Sequence, residues 1–422
     1  MKHLLKNAIL LQPGHDFHDK QADLLIEDGI IKKIASSISD SEAQVYDFNG
    51  CHIAPAFCDL YVSICDPGFE YRDDINTITQ SALAGGYTAI CATADNSPIT
   101  QTKAQVEYII NKAKNSGIAI LPVGAVTENF DGKSPTEMLD MHHAGAIAFS
   151  DIPNSIKNSG VMLRALQYVQ PFNGLIITMP FDATLVGDGQ VNEGEISVRM
   201  GMYGISNVSE YSALQRDIEI LKYTGGKLHI AGISTKESLD LIRKAKEEKL
   251  NITCSVFVHH LLLTEEEVSG YDSHYKVFPP LRTEEDRNTL IIGLADGTID
   301  CISTQHIPLD IDSKNLEFEY ALNGIIGLES ALGLLHKHLG KHLSQEKLIE
   351  LLAVNPRKIL GLDYQIKTGK QADFILIDFD KDWKFADKDI RSKSKNTPFI
   401  GSELKGIVKA VFSKDKVFLN GK

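Results

Sequence analysis

Short continuous apolar runs alternate with helix-period segments through the middle of the chain, and this alternation restricts the possible folds more than any other feature. The runs are Ile53–Ile64, Tyr87–Thr93, Ile118–Val126, Ala146–Ser150, Gly174–Phe181, Lys227–Ile233, Asn251–His260 and Ile299–His306. Between them, Ser209–Tyr223 carries Leu214, Ile218 and Leu221 on one stripe, and Lys236–Lys249 has a similar pattern. Strands apolar on both faces belong to parallel sheets covered by helices. About eight such units predict an α/β fold of the (β/α)8, TIM-like barrel type. An open doubly wound sheet is the alternative. Helices over Phe318–Lys341 and Ser344–Leu352 are expected to complete the barrel.

Both ends read differently. Leu4–Leu11, Ala22–Asp28 and Ile30–Ile34 alternate with turns, and Glu27-Asp28-Gly29 is a hairpin corner. Ala372–Ile377 and Gly406–Phe412 are similar short β segments. Neither end holds enough strands for a stable sheet alone. The expected organisation is therefore one small β-sandwich domain built from both termini, 1–52 and 363–422, flanking a barrel over 53–362. The loops Met179–Glu195 and Thr264–Asp286 are long enough to act as lids at a barrel mouth.

A formal net charge of −13 argues against a nucleic-acid or anionic-membrane surface, since both require a basic face. It leaves room for a small acidic ligand, which needs only a local cationic pocket. The six cysteines form no Cys-x-x-Cys pair and sit largely in apolar runs, which predicts buried reduced thiols. With no cationic-then-apolar leader and no apolar run of membrane-spanning length, a cytoplasmic protein is expected.

The chemistry is concentrated from Ala54 to Asp74. A buried strand stops at Asp66-Pro67-Gly68, and a helix begins near Arg72. Side chains alternate along a strand, so Asp59, Tyr61 and Ser63 share one side at its C-terminal end, where parallel α/β enzymes place their reacting groups. The stretch resembles the first barrel strand of amidohydrolases, most closely class I dihydroorotases, whose pattern is Pro-Gly-hydrophobic-hydrophobic-Asp-x-His-x-His-x-Arg-x-Pro-Gly. Asp59, Pro67 and Gly68 keep that frame. Further similar segments are Asn192-Glu193-Gly194, Ser234-Thr235, His259-His260-Leu261, Pro279–Arg287, Asp296–Asp300, Gly327-Leu328-Glu329, Asn355-Pro356 and Ser394–Phe399.

The resemblance implies cyclisation of carbamoyl aspartate to dihydroorotate, a step of pyrimidine biosynthesis, at a zinc site with a catalytic aspartate. Yet Tyr61 and Ser63 stand where the family has its paired histidines, Met179 and Gly232 where it has two more, and Gln305 where it has the catalytic Asp. Asp151 alone matches a ligand position. Of the five replacements, glycine has no side chain, glutamine does not ionise, neutral Tyr and Ser bind zinc poorly, and a thioether prefers softer ions. The substrate-carboxylate clamp is altered in parallel, to Cys65, Asp95, Phe278 and Leu309. Replacing a guanidinium by a thiol and an amide by a carboxylate turns an anion-attracting site into an anion-repelling one. No metal cofactor and no catalytic residue are therefore expected.

Other histidines read as structural. His142-His143 are helix neighbours that diverge, His229 occupies a non-ligand position, His306 faces away from Gln305, and His259-His260 lack an evident third ligand. A hydrogen-bonding role is expected for Asp151. Three readings follow. The first is an inactive dihydroorotase-like subunit acting through protein contacts, with aspartate transcarbamoylase as the leading partner and self-association the fallback. The second is an active cyclic amidohydrolase with an atypical site. The third is a small-molecule-binding barrel.

Overall fold

The computed structural model describes residues 1–420. Eight parallel strands form the central sheet: Phe57–Val62, Tyr87–Ala92, Ala119–Gly124, Ala148–Phe149, Ile176–Thr178, Leu228–Ile230, Ile252–Phe257 and Cys301–Ser303. Each pairs with its sequence neighbour, which is the order of a barrel and not of a doubly wound sheet. The first and last strands meet just beyond their ends, where Val62 bridges to His306 and the Ser63 amide donates to the His306 carbonyl at 2.9 Å. Strand residues such as Phe57, Ile90, Val256 and Ile302 are fully buried beneath helices that supply Ile78, Val106, Leu214 and Leu239.

The termini together make a mixed eight-stranded sheet. Lys2–Leu10 pairs antiparallel with Gln21–Glu27 and parallel with His52–Pro55, which in turn pairs antiparallel with Asp373–Lys384. Leu5, Leu24, Ile53, Phe374 and Phe412 form its own core. A run read from the sequence as one strand, Ile53–Ile64, is two: His52–Pro55 belongs to this terminal sheet, and the barrel strand starts after Ala56. Buried Arg357 fastens the junction, donating to the Ala56 carbonyl (3.1 Å) and Thr88 Oγ1 (2.7 Å) and pairing with Asp373 (3.1 Å).

Two further elements differ from their sequence reading. Helix is present only at Ala331–Leu339, not from Phe318, because the backbone ahead of it is committed elsewhere. The amides of Gly324 and Ile326 donate to the carbonyls of Lys276 and Asn396, and those of Gly327 and Leu328 donate to His306 Nδ1. These four amides are thereby withdrawn from any i→i−4 ladder. The seventh strand ends at Phe257, and Val258–Leu262 is a helical turn that carries His259 and His260. All six cysteines are free and buried, and no helix among the described residues is long and apolar enough to cross a membrane.

Candidate functional site at the barrel mouth

Asp59 lies at the seam between the first and eighth strands. Its Oδ1 accepts from the Tyr61 amide (2.9 Å), and its Oδ2 accepts from the Thr304 amide (2.8 Å) and Thr304 Oγ1 (2.6 Å). Complete burial pushes its carboxyl up to about 6, against the pull of the Thr304 bonds. This is a structural tie that closes the barrel.

Tyr61 and Ser63 follow on the same side. The Tyr61 ring stands edge-on to Phe257, with centroids 5.4 Å apart, and its hydroxyl faces the Gln305 side chain. Burial raises the phenol well above its ordinary range, and nearby Asp95 adds to the effect. Ser63 Oγ lies 3.9 Å from the thiol of Cys65, which also sits 3.9 Å from the Pro308 carbonyl. Burial, followed by the Asp95 charge, raises the Cys65 thiol too. Asp95 accepts from Thr93 Oγ1 at 2.6 Å, and its carboxyl is raised by burial. This corner gathers a carboxylate, a hydroxyl and a thiol, with the Arg72 charge near enough to pull Asp95 and Cys65 back down.

The opposite wall is apolar. Gly232 has φ +67°, and a Cβ added there would lie 2.0 Å from Cε2 and 2.3 Å from Cζ of Phe257. The Phe257 ring thus occupies the volume that a side chain at 232 would enter. Met179 is buried in the same cluster as Tyr61, Phe257 and Ile177. Phe278 packs edge-on against Phe181 at 4.8 Å, and its carbonyl accepts from Gln305 Nε2 at 2.8 Å. Leu309 is buried, and its amide donates to Asn396 Oδ1 at 3.0 Å.

Asp151 has both oxygens engaged. Oδ1 accepts from the amides of Val126 (2.8 Å) and Thr127 (2.9 Å), and Oδ2 from Thr127 Oγ1 (2.6 Å). Tyr61, Ser63, Met179, Gly232 and Gln305 supply neither imidazole nor carboxylate, so this donor set does not fit zinc. Among the described residues, the one group of three close metal-type donors is His18, Asp19 and Glu346, where the terminal β region meets the helix Gln345–Ile349. It shares no residue with the barrel mouth.

The histidines have local duties. His260 Nε2 donates to the carbonyls of Pro279 (3.1 Å) and Pro280 (3.2 Å), while burial and then the Arg282 charge lower it to about 4. His259 is buried, with Gln305 in reach and burial lowering it further. His229 is held by Thr253 Oγ1 (2.9 Å) and Ser255 Oγ (3.2 Å). His142 stacks on Phe172 at 4.6 Å.

Sequence reasoning did not single out Phe257, although an aromatic residue two places before His259 was the available signal. It also missed the network around Arg282, which donates to Ser234 Oγ (3.0 Å), Asn192 Oδ1 (2.8 Å) and the Ile205 carbonyl (2.8 Å). Glu210 receives the amides of Ser234 (2.9 Å) and Thr235 (3.2 Å) and lies 3.8 Å from Arg282. Asn192 Nδ2 reaches Glu265 at 2.7 Å, so the two long loops are fastened to each other.

Comparison with known proteins places this geometry. Residues 50–238 match the dihydro-orotase-like family model, and residues 187–418 match the amidohydrolase family model. The dihydroorotase of Syntrophotalea carbinolica is 40% identical over 409 residues, covering 96% of each chain. The chain belongs to the dihydroorotase family. The dihydroorotase of Trichlorobacter lovleyi is 37% identical over 426 residues, covering 100% of both chains. Among solved structures, the L-hydantoinase of Arthrobacter aurescens superposes with a TM-score of 0.87 at 24% identity, over 100% of this chain and 96% of its own. That likeness speaks for the fold alone. Within the dihydroorotase frame, the segments that resemble the family, Asn192, Ser234 and Pro279–Arg287, are tied into the scaffold by the Arg282 network.

Proposed function

We propose that this dihydroorotase-family chain serves pyrimidine biosynthesis as a non-catalytic subunit that acts through protein contacts. The observation that carries the reading is the Phe257 ring standing in the space of a side chain at 232. A metal-binding imidazole at that position would require the ring to leave. Met179 and Tyr61 pack against the same cluster, so the centre of the barrel is continuous core. At Asp95 and Cys65 the mouth offers an incoming carboxylate a negative charge and a thiol where the family resemblance implies an amide and a guanidinium. A metal in this family supplies a water acidified enough to attack at neutral pH; no side chain here replaces that nucleophile or its proton acceptor. The intact surrounding scaffold supports a role on the surface, with aspartate transcarbamoylase as the leading partner and self-association as the fallback.

The test has two parts. Elemental analysis and dihydroorotate hydrolysis are measured on protein purified without chelator; about one equivalent of zinc with turnover at ~1 s⁻¹ or faster, inside the usual enzyme range, would overturn the inactive reading. Co-expression with the transcarbamoylase of the same genome, followed by size-exclusion chromatography with light scattering, is expected to give a common peak. Separate elution at micromolar concentration would overturn the partner.

A further inference from the structure

We propose that a cleft beside the barrel mouth docks an extended segment of a partner protein, one that combines carboxylates with bulky apolar side chains. The proposal rests on the partner reading above and gives it a place on the surface.

The cleft has a volume of about 690 Å³ and is lined by Tyr71, Tyr271, Leu309, Ile311, Lys393 and Lys395, among others. It is assembled from the loops after the first, seventh and eighth barrel strands and from the C-terminal segment. Large apolar groups remain in solvent around it: Tyr71 is 62% exposed, Ile311 75%, and Tyr320 on the adjoining loop 67%. A folded chain concentrates such side chains on one face mainly where something covers them.

The exposure does not come from loose loops. Buried Lys276 donates to the carbonyls of Phe318 (2.7 Å) and Glu319 (2.8 Å), and buried Lys314 to those of Leu322 (3.0 Å) and Lys276 (3.3 Å). Ser273 Oγ donates to the Lys314 carbonyl, and Asn396 joins the Ile307 carbonyl (2.9 Å) to the Leu309 amide. The walls are therefore held in place before anything binds, which lowers the ordering cost of association.

Charge and shape select the occupant. Of the acids of the cleft, Asp310 pairs with the Arg72 guanidinium at 3.3 Å, and Asp272 is hydrogen-bonded to the His274 ring at 2.8 Å. Lys393 shares Asp74, while Lys395 is held by the carbonyls of Asp387 and Ile390, with the nearest carboxylate 3.9 Å away. A cationic side chain next to exposed aromatics suits a segment with acidic and apolar residues. A small ligand is ordinarily buried over roughly 70–90% of its surface, which walls as open as Tyr71 and Ile311 do not provide. A chain laid across the cleft covers both.

The test pans a displayed library of random dodecapeptides on the full chain. Enriched sequences should place Asp or Glu beside Phe, Tyr or Leu. Their affinity, read by fluorescence anisotropy, should fall about tenfold or more, equivalent to about 1.4 kcal/mol, in Ile311→Asp and in Lys395→Glu. Ile311 is exposed and Lys395 is half-buried, and circular dichroism checks that the variants fold. Ile292→Asp, on the outer surface of the helix Glu284–Ala295, should bind as wild type. No enrichment, or peptides that bind the cleft variants equally well, would overturn the proposal. So would dimers abolished by Ile311→Asp in a chain that takes up no peptide. Peptide binding without transcarbamoylase assembly removes the partner and leaves the cleft. Assembly that survives both cleft variants removes the cleft and leaves the partner.

Discussion

Gly232 and Phe257 share one volume: the ring edge of Phe257 lies 2.0 Å from where a Cβ at 232 would stand. The two residues face each other from the ends of the sixth and seventh strands, and neither can change alone without cost. Phe257→Ala would leave a cavity in a fully buried cluster and should destabilise by about 3–5 kcal/mol. Gly232→His should also destabilise, through the overlap and the left-handed backbone at φ +67°. Combined, they should cost less than the sum of the two, since the imidazole enters the vacated space. Urea unfolding of the four proteins measures the coupling; strict additivity would mean that the two residues do not compete for space.

The tie between Asp59 and Thr304 predicts a pH signature. The folded carboxyl titrates near 6, above the ~3.9 of an unfolded Asp. Between these values the native state binds more protons than the unfolded one, so this group's contribution to stability declines as pH rises from about 4 to about 6. Asp59→Asn should remove that part of the slope and leave the rest of the curve in place. Chemical denaturation at intervals across the window reads it directly, and an unchanged slope in the variant would count against a titrating Asp59.

The barrel was legible because its signal is repeated: each strand is apolar on both faces, and each is followed by a helix-period segment. The strand at His52–Pro55 was harder to separate, because burial continues through Ala54 and Ala56 and only pairing with Asp373–Lys384 distinguishes the two sheets. Residues 318–330 misread as helix for a related reason, since their amides serve partners distant in sequence, Lys276 and Asn396 among them. At the site, the resemblance pointed to particular positions. It did not show what filled them. Phe257 reads in one dimension as an ordinary strand residue, and only the fold brings its ring over Gly232.

Lys276 and Lys314 predict the opposite pH trend in a different window. Burial lowers Lys276 to about 8; burial and then the charge of Lys276 lower Lys314 to about 7, while Asp272 and Glu319 favour the charged forms of Lys314 and Lys276 respectively. An unfolded lysine titrates near 10.4, so the unfolded chain holds more protons between about 7 and about 10. Stability should rise with pH across that range. Lys314→Met should flatten the rise, and should also destabilise at all pH values by leaving the Leu322 carbonyl without its donor. A proton-uptake slope unaffected by the variant would exclude Lys314 as its source.

Asp151 separates a structural carboxylate from a metal ligand. Its oxygens accept from two amides and one hydroxyl of Val126 and Thr127, which join the end of the fourth strand to the loop after the third. Asp151→Ala orphans buried donors, each worth about 1–3 kcal/mol when left unpaired, so a loss of several kcal/mol is expected. Asp151→Asn keeps one oxygen acceptor but turns an NH2 toward at least one donor, and should fall between alanine and wild type. If Asp151 acts only in this way, the metal content of the purified protein will not change in either variant, and a chelator will not shift the wild-type melting temperature. If Asp151 instead helped to hold an ion, the chelator would reproduce part of the alanine variant's loss, because an ion that binds only the native state stabilises it by mass action. Thermal melts with and without chelator, alongside elemental analysis of the three proteins, decide between the two. A chelator-induced drop that disappears in Asp151→Ala would restore a metal to the barrel centre and overturn the inactive reading.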